Sequence, residues 1–279
     1  AATAVVGGAG DNAAAAVGTG VVKDGRAFTT IGTSGVVFAH SSQVAIDPEG
    51  RVHTCCCAVP GAWHVMGVTQ GAGLSLKWMK DNFCEDYSLQ ARAEGRDVYD
   101  FINRDVENVP PGSSRLIYLP YLMGERTPHL DADCRGVFFG LSAIHTRAHV
   151  LRSVMEGVAY SLCDCNDILK EMGIGVETMM ACGGGGKSPV WRQMLSDLYK
   201  CSVQTVKQSE GPALGAAILA GVGCGVYESV EKACEMLISP ETLCEPRQRE
   251  AEVYESYHRL YRRLYGALKE EFQELSALR

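Results

Sequence analysis

Three glycine-rich turns, each following a short apolar run, constrain this chain more than any other feature; they lie at residues 7–10, 32–35 and 183–186. Glycine lets backbone approach a ligand closely, because no side chain intervenes. Open α/β sheets bind ligands in the crevice shared by turns at the carboxyl ends of their strands. Each turn also has a plainer reading. Residues 3–6 read as a strand, and Asp11 and Asn12 stand where the first turn becomes an alanine-rich helix. Asp11 there is either an N-cap or a carboxylate at the mouth of a cleft. Gly32-Thr33-Ser34-Gly35 is either an ordinary hairpin turn or a set of amides and hydroxyls for phosphate oxygens. The third turn, which contains Gly184, Gly185 and Gly186, serves either tight strand-to-helix packing or a nucleotide. It matches neither GxGxxG nor a Walker A loop, since Lys187 is followed by Ser188-Pro189 at the wrong spacing.

Strands are expected at 26–31, 36–40 and 51–58, separated by turn-forming residues, with a fourth at 63–69. A helix over 73–83 places Leu76, Met79 and Phe83 on one face, and residues 87–106 are charged and helix-compatible. A loop at 109–114 leads into a buried strand at 115–119. Then helix and strand alternate. A long helix over 149–172 carries one apolar side, from Leu151 through Val158 to Met172. A strand at 178–182 precedes a helix opened by Ser188 as N-cap and Pro189 as first helical residue. A strand at 202–206 and a small-residue helix at 213–220 follow. A last helix over 248–275 points Val253, Tyr257, Leu260, Leu264, Leu268, Phe272 and Leu275 inward. A strand meander followed by α/β alternation predicts one α/β domain on a mixed β-sheet flanked by helices.

Composition excludes more than it assigns. The apolar share of 46% and charged share of 21% belong to an ordinary globular chain. The net charge of -7 argues against a nucleic-acid partner, yet leaves room for phosphate held by backbone amides. No apolar run is long enough for a membrane-spanning helix, and no basic-then-apolar leader is visible, so no membrane partner is expected. Twelve cysteines lack paired CxxC spacing: Cys55-Cys56-Cys57 lies in a strand-like stretch, and Cys163 and Cys165 sit two apart on a helix. A structural zinc site is therefore not expected. Reduced cysteines filling a core, in the cytoplasm, are. The lack of an initiator methionine, with strand from the outset, predicts a fragment once preceded by another domain.

Other candidates have modest readings. Glu125-Arg126-Thr127-Pro128-His129 reads as a structural ion-paired loop, and His53 and His64 as satisfied strand histidines. Neither GxSxG nor HExxH occurs.

The segment Gly136-Val137-Phe138-Phe139-Gly140-Leu141, then seven residues, then His149-Val150-Leu151-Arg152-Ser153-Val154-Met155-Glu156 resembles the second signature of the FGGY family of carbohydrate kinases. GGAGDNAAAAVG, IGTSGVVF, YLPYLMGERTPH, WRQMLSDL and EGPALGAAILA flank it in order and spacing similar to the family's xylulokinases. The resemblance covers the chain but only the later half of the family's chain. It implies that residues 1–279 are a C-terminal actin-like (ribonuclease H-like) ATP-binding domain whose N-terminal sugar-binding domain is absent. It implies ATP-dependent phosphorylation of D-xylulose to D-xylulose 5-phosphate, with ATP and Mg²⁺ required. Asp11 resembles the general base, and Asn12 falls near the sugar. Gly32, Thr33 and Ser34 look like a phosphate-binding turn, Gly73 and Lys77 match places lining the nucleotide, and Gly184, Gly185, Gly186 and Ser188 match the adenosine turn. No residue is assigned to a metal. The partners implied are the missing domain, the sugar and ATP, with room for a homodimer, and the isolated fragment is expected to be inactive. Cys55-Cys56-Cys57 departs from many relatives, which carry an aromatic and a histidine there. The alternatives are a kinase of another pentulose or polyol, or a non-catalytic actin-like nucleotide-binding module.

Overall fold

Residues 3–207 and 211–278 are described in a computed structural model. Gly25–Ile31 (β1) and Gly35–Ser41 (β2) form an antiparallel hairpin closed by Ile31 opposite Gly35. His53–Cys56 (β3), shorter than the expected strand, pairs antiparallel with Trp63–Thr69 (β4), which pairs in turn with β2. Ile117–Leu119 (β5) and Val137–Phe139 (β6) make a separate ribbon. Val176–Cys182 (β7) runs parallel to β1, Ser202–Val206 (β8) runs parallel to β7, and Pro240–Cys244 (β9) adds an antiparallel edge. The sheet order is β3-β4-β2-β1-β7-β8-β9, a mixed sheet as the alternation implied. The sequence patterns did not reveal β6 and β9, both short and partly exposed.

The helices are Asp11–Gly18 (α1), Ala72–Phe83 (α2), Glu85–Glu94 (α3), Val98–Glu107 (α4), Arg147–Glu171 (α5), the single turn Gly183–Gly186 (α6), Pro189–Tyr199 (α7), Gly211–Gly223 (α8), Val230–Leu237 (α9) and Gln248–Ala277 (α10). Because side chains alternate along a strand, the sheet feeds two cores. Phe28, Phe38 and Met180 meet Ala16 of α1 on one face. Ala27, Ile31, Val37, Val65 and Met179 join the larger core built around α5 on the other. α1 and α8 cross with backbones in contact, since a Cβ on Gly215 would overlap the Ala14 carbonyl. No helix among the described residues is long and apolar enough to cross a membrane.

Four expectations need correction. Residues 3–6 form no strand: no neighbouring strand supplies ladder partners among the described residues, and Val5 is 94% exposed. The first glycine turn therefore does not end a strand. α5 is buried nearly all round from Leu151 to Leu169 rather than on one side, because the sheet and other helices pack around it. On α10 the expected Leu264 and Phe272 are buried, and Tyr257, Leu260 and Leu268 pack half-buried against the core, but Ala251, Tyr254, His258, Tyr261 and Tyr265 are buried beside them and Leu275 is 53% exposed. The reason is polar: Tyr254 accepts from Arg152, Tyr261 from Tyr121, and Tyr265 donates to Asp131, so these phenols are satisfied inside. Finally, all twelve cysteines are free, as expected, but Cys55, Cys56 and Cys224 are exposed rather than core.

Candidate active site

Parallel pairing aligns the carboxyl ends of β1 and β7, with Thr30 beside Cys182, so their following turns lie side by side. Antiparallel pairing sets Gly35 opposite Thr69, which brings the start of α2 to the same end of the sheet. There the Gly73 N–H donates to the Gly32 carbonyl at 2.7 Å, and the Leu74 N–H donates to the Thr33 carbonyl at 3.1 Å. A Cβ on Gly73 would overlap the Gly32 carbonyl oxygen, so only glycine permits this docking. Thr33 is exposed, and the hydroxyls of Thr33 and Ser34 make no hydrogen bond among the described residues. Lys77 lies one helical turn beyond Gly73, on the same side of α2. Its exposed ammonium pairs with Asp81, which holds it above the ordinary range.

The turn Gly183–Gly186 sits against the same hairpin: a Cβ on Gly185 would collide with the Ile31 side chain. Gly184 is exposed, with nothing within 4 Å of where its Cβ would be, which leaves an open backbone surface. The Cys182 thiol before it is pushed up to about 12 by burial and stays neutral. Ser188 is buried and fully engaged: it accepts from the Trp191 N–H at 3.2 Å and donates to Asn103 Oδ1 at 2.7 Å. Arg192 donates to the carbonyls of Gly186 and Lys187 at 2.8 and 2.9 Å, while its buried Nε has no hydrogen-bond partner among the described residues. The sequence reading missed Arg192 and Asn103. The only hint was a cation one turn into the helix after the glycines.

Asp11 is not a cap. Gly10 occupies the N-cap position of α1, and the Asp11 side chain, one residue into the helix, makes no capping bond. The carboxylate is exposed and has no hydrogen bond or ion pair among the described residues. It stands at the positive end of the helix dipole, which favours a negative charge there. Asn12 beside it is half-buried, and among the described residues no hydrogen bond joins either residue to the three-element cluster. Gly32, Thr33, Ser34, Gly73, Lys77, Gly184, Gly185, Gly186 and Ser188 are thus gathered at one end of the sheet. Asp11 and Asn12 are presented separately, on α1.

Residues 27–224 match the FGGY family of carbohydrate kinases, C-terminal domain. The chain belongs to the FGGY family. It is 35% identical over 277 residues to the xylulose kinase of Bacillus subtilis (strain 168), covering 99% of this chain and 54% of that protein. It is 38% identical over 267 residues to a xylulose kinase of Staphylococcus epidermidis, covering 96% and 52%. The crystal structure of a xyloylose kinase from Brucella ovis superposes with a TM-score of 0.82 at 34% identity, over 95% of this chain and 52% of that one. The chain thus spans about half the length of the curated relatives it matches. Its architecture is the actin-like ATPase fold of FGGY kinases.

Within this FGGY chain the second signature builds structure. Glu156, buried on α5, accepts from the Gly112 N–H at 3.0 Å, the Ser113 hydroxyl at 2.8 Å and Arg152 Nε at 2.8 Å. Arg152 reaches on to the Val106 carbonyl and Tyr254. The 125–129 cluster is not an ion-paired loop. Glu125 is buried and accepts from the Thr69 hydroxyl at 2.6 Å and from the N–H groups of Gln70 and Arg126 at 2.7 Å each. Burial pushes its carboxyl up to about 7 against those donors. His64 is the buried core histidine expected, stacked on Phe38 and held below its ordinary pKa by burial, but it is only partly satisfied, because its Nδ1 has no hydrogen-bond partner among the described residues.

Proposed function

We propose that this chain is the C-terminal ATP-binding domain of a sugar kinase that phosphorylates D-xylulose to D-xylulose 5-phosphate. The observation that carries the reading is the exposed, unengaged carboxylate of Asp11. The α1 dipole favours the charge, but the carboxylate oxygens stay free to take a proton from a substrate hydroxyl, which nucleotide binding alone does not require. The relatives' names supply the choice of sugar.

ATP fits the open end of the sheet. The amides and free hydroxyls of Thr33 and Ser34 hold phosphate oxygens, while Gly32, whose N–H donates to the Ser34 carbonyl, shapes that turn; Gly73 and Lys77 line the nucleotide, and Gly184 and Gly185 offer backbone to the adenosine over the buried Gly186. Ser188, whose hydroxyl is spent on Asn103 and the helix cap, shapes that turn rather than reaching the ligand. When bound, ATP supplies the phosphoryl group, and Mg²⁺ offsets the phosphate charge. Among the site residues only Asp11 carries a carboxylate, so Mg²⁺ would be held largely through phosphates and water.

Asp11 takes the proton from the sugar's C5 hydroxyl as that oxygen bonds to the transferred phosphoryl group and ADP leaves. Asn12 orients the sugar. Phosphoryl transfer rests mainly on positioning and electrostatics, and a well-placed base contributes about 10²–10⁴-fold. In the intact protein, Asp11→Asn is expected to lower kcat for xylulose by that factor, with ATP affinity by calorimetry unchanged. Turnover within a few-fold of the parent would remove Asp11 from the role.

A further inference from the structure

Away from the candidate site, α5 and α10 bring together a thiol, an imidazole and a carboxylate that the kinase reading does not use. Cys163 and Asp167 are four residues apart on α5 and so share a face. His258 of α10 packs opposite them. One donor atom from each of Cys163, Asp167 and His258 lies within 4.8 Å of the others. Cys163 and His258 are buried, whereas Asp167 is half-exposed at a surface cavity of about 180 Å³.

We infer that Cys163, Asp167 and His258 form a binding site for a thiophilic divalent cation of the Zn²⁺ class. The orientation of the imidazole supports this. His258 Nε2 lies 2.8 Å from Oδ1 of the buried Asp164, while Nδ1 faces Asp167 Oδ2 at 3.9 Å. A carboxylate receiving the far ring N–H is the arrangement that fixes the tautomer and direction of a metal-bound histidine. Sulfur, nitrogen and carboxylate oxygen are the donors that tetrahedral Zn²⁺ takes, at about 2.0–2.3 Å each. Those bond lengths put ligand atoms roughly 3.3–3.8 Å apart, so the donor atoms, which lie within 4.8 Å of one another, draw in by up to about 1 Å on binding. The cavity side leaves the fourth position to water.

Nearby cations do not occupy these donors. Lys170 pairs with the other oxygen of Asp167, Oδ1, at 3.5 Å, and Lys200 pairs with Glu255 at 2.9 Å. Arg262 reaches Asp164 at 3.5 Å, outside the three ligands. None of the residues belongs to the proposed kinase site, so the two assignments stand or fall separately. CxxC spacing could not have revealed this one, because its third ligand arrives from a helix about 90 residues downstream.

The test uses the intact protein, reduced and stripped of metal, titrated with Co²⁺ and then Zn²⁺. One equivalent of Co²⁺ is expected to produce a thiolate-to-cobalt charge-transfer band with the visible bands of a four-coordinate site, and Zn²⁺ should displace it. Cys163→Ser, nearly isosteric, should abolish the charge-transfer band, whereas Cys201→Ser should keep it. Asp167→Ala, at a partly exposed position and with folding checked by circular dichroism, should weaken Co²⁺ binding at least about tenfold. Absence of the band in the parent protein overturns the inference, as does a band that survives Cys163→Ser or binding unchanged by Asp167→Ala.

Discussion

Glu125 shows how a residue in a recognisable motif can be given a role by burial alone. Its carboxyl has an ordinary pKa of 4.5 unfolded and is pushed up to about 7 in the fold, where loss of water outweighs four donors. The folded state therefore binds the extra proton between those values. Stability from this group is greatest below about 4.5, declines as pH rises through about 7, and is flat beyond; the full span corresponds to about 3 kcal/mol. Gln suits the site, its oxygen facing the two N–H groups and its amide facing the hydroxyls of Thr69 and Ser161. Urea denaturation of Glu125→Gln against the parent, from pH 4.5 to 8, should show the variant losing this slope. Parallel pH curves would show that Glu125 does not titrate there. Asp11 is the opposite case. Its identity was evident in the sequence, and only the backbone showed that Gly10, not Asp11, holds the cap position.

Among the elements, α5 carries the largest share of the packing, and its buried Arg152–Glu156 ion pair ties the layer together. Arg152 and Glu156 join α5 to the end of α4, the loop at 110–114 and α10. Removing one partner strands a buried charge, which typically costs about 3–5 kcal/mol. Glu156→Ala should lower stability by about that much in denaturant titration, whereas the paired change Arg152→Met with Glu156→Met should cost clearly less. A loss below about 1 kcal/mol for Glu156→Ala would mean that the ion pair does not organise the layer. The same network explains α10. Its expected stripe does meet the core through Leu260, Leu264, Leu268 and Phe272, but the phenols of Tyr254 and Tyr261 and the imidazole of His258 find partners on neighbouring elements and are buried beside it.

On the scale of the whole molecule, the glycine turns make an open surface rather than a closed pocket, and Asp11 faces no described partner. Under the kinase proposal the second wall of the cleft belongs to the part of the protein that precedes this half-length match. The 279-residue chain alone is then expected to bind ATP weakly and to phosphorylate no xylulose, because proton transfer needs a sugar held against Asp11. Calorimetry with ATP and a coupled ADP-release assay with xylulose test both statements. Sugar turnover by the isolated chain would refute the two-walled cleft.

The sequence by itself determined the mixed α/β class, the β1–β2 hairpin, the Ser188-Pro189 helix start, the glycine turns and the FGGY kinship. All of these depend on local periodicity, turn chemistry or ordered motifs. Tertiary structure decided what local pattern cannot carry. It left residues 3–6 without a ladder partner among the described residues, buried α5 nearly all round from Leu151 to Leu169, widened the buried face of α10 toward its polar partners, and spent the Ser188 hydroxyl on Asn103. It also brought His258 to Cys163 and Asp167. Each outcome depends on which groups meet across long sequence separations, where burial and hydrogen-bond satisfaction, rather than propensity, set the lowest free energy.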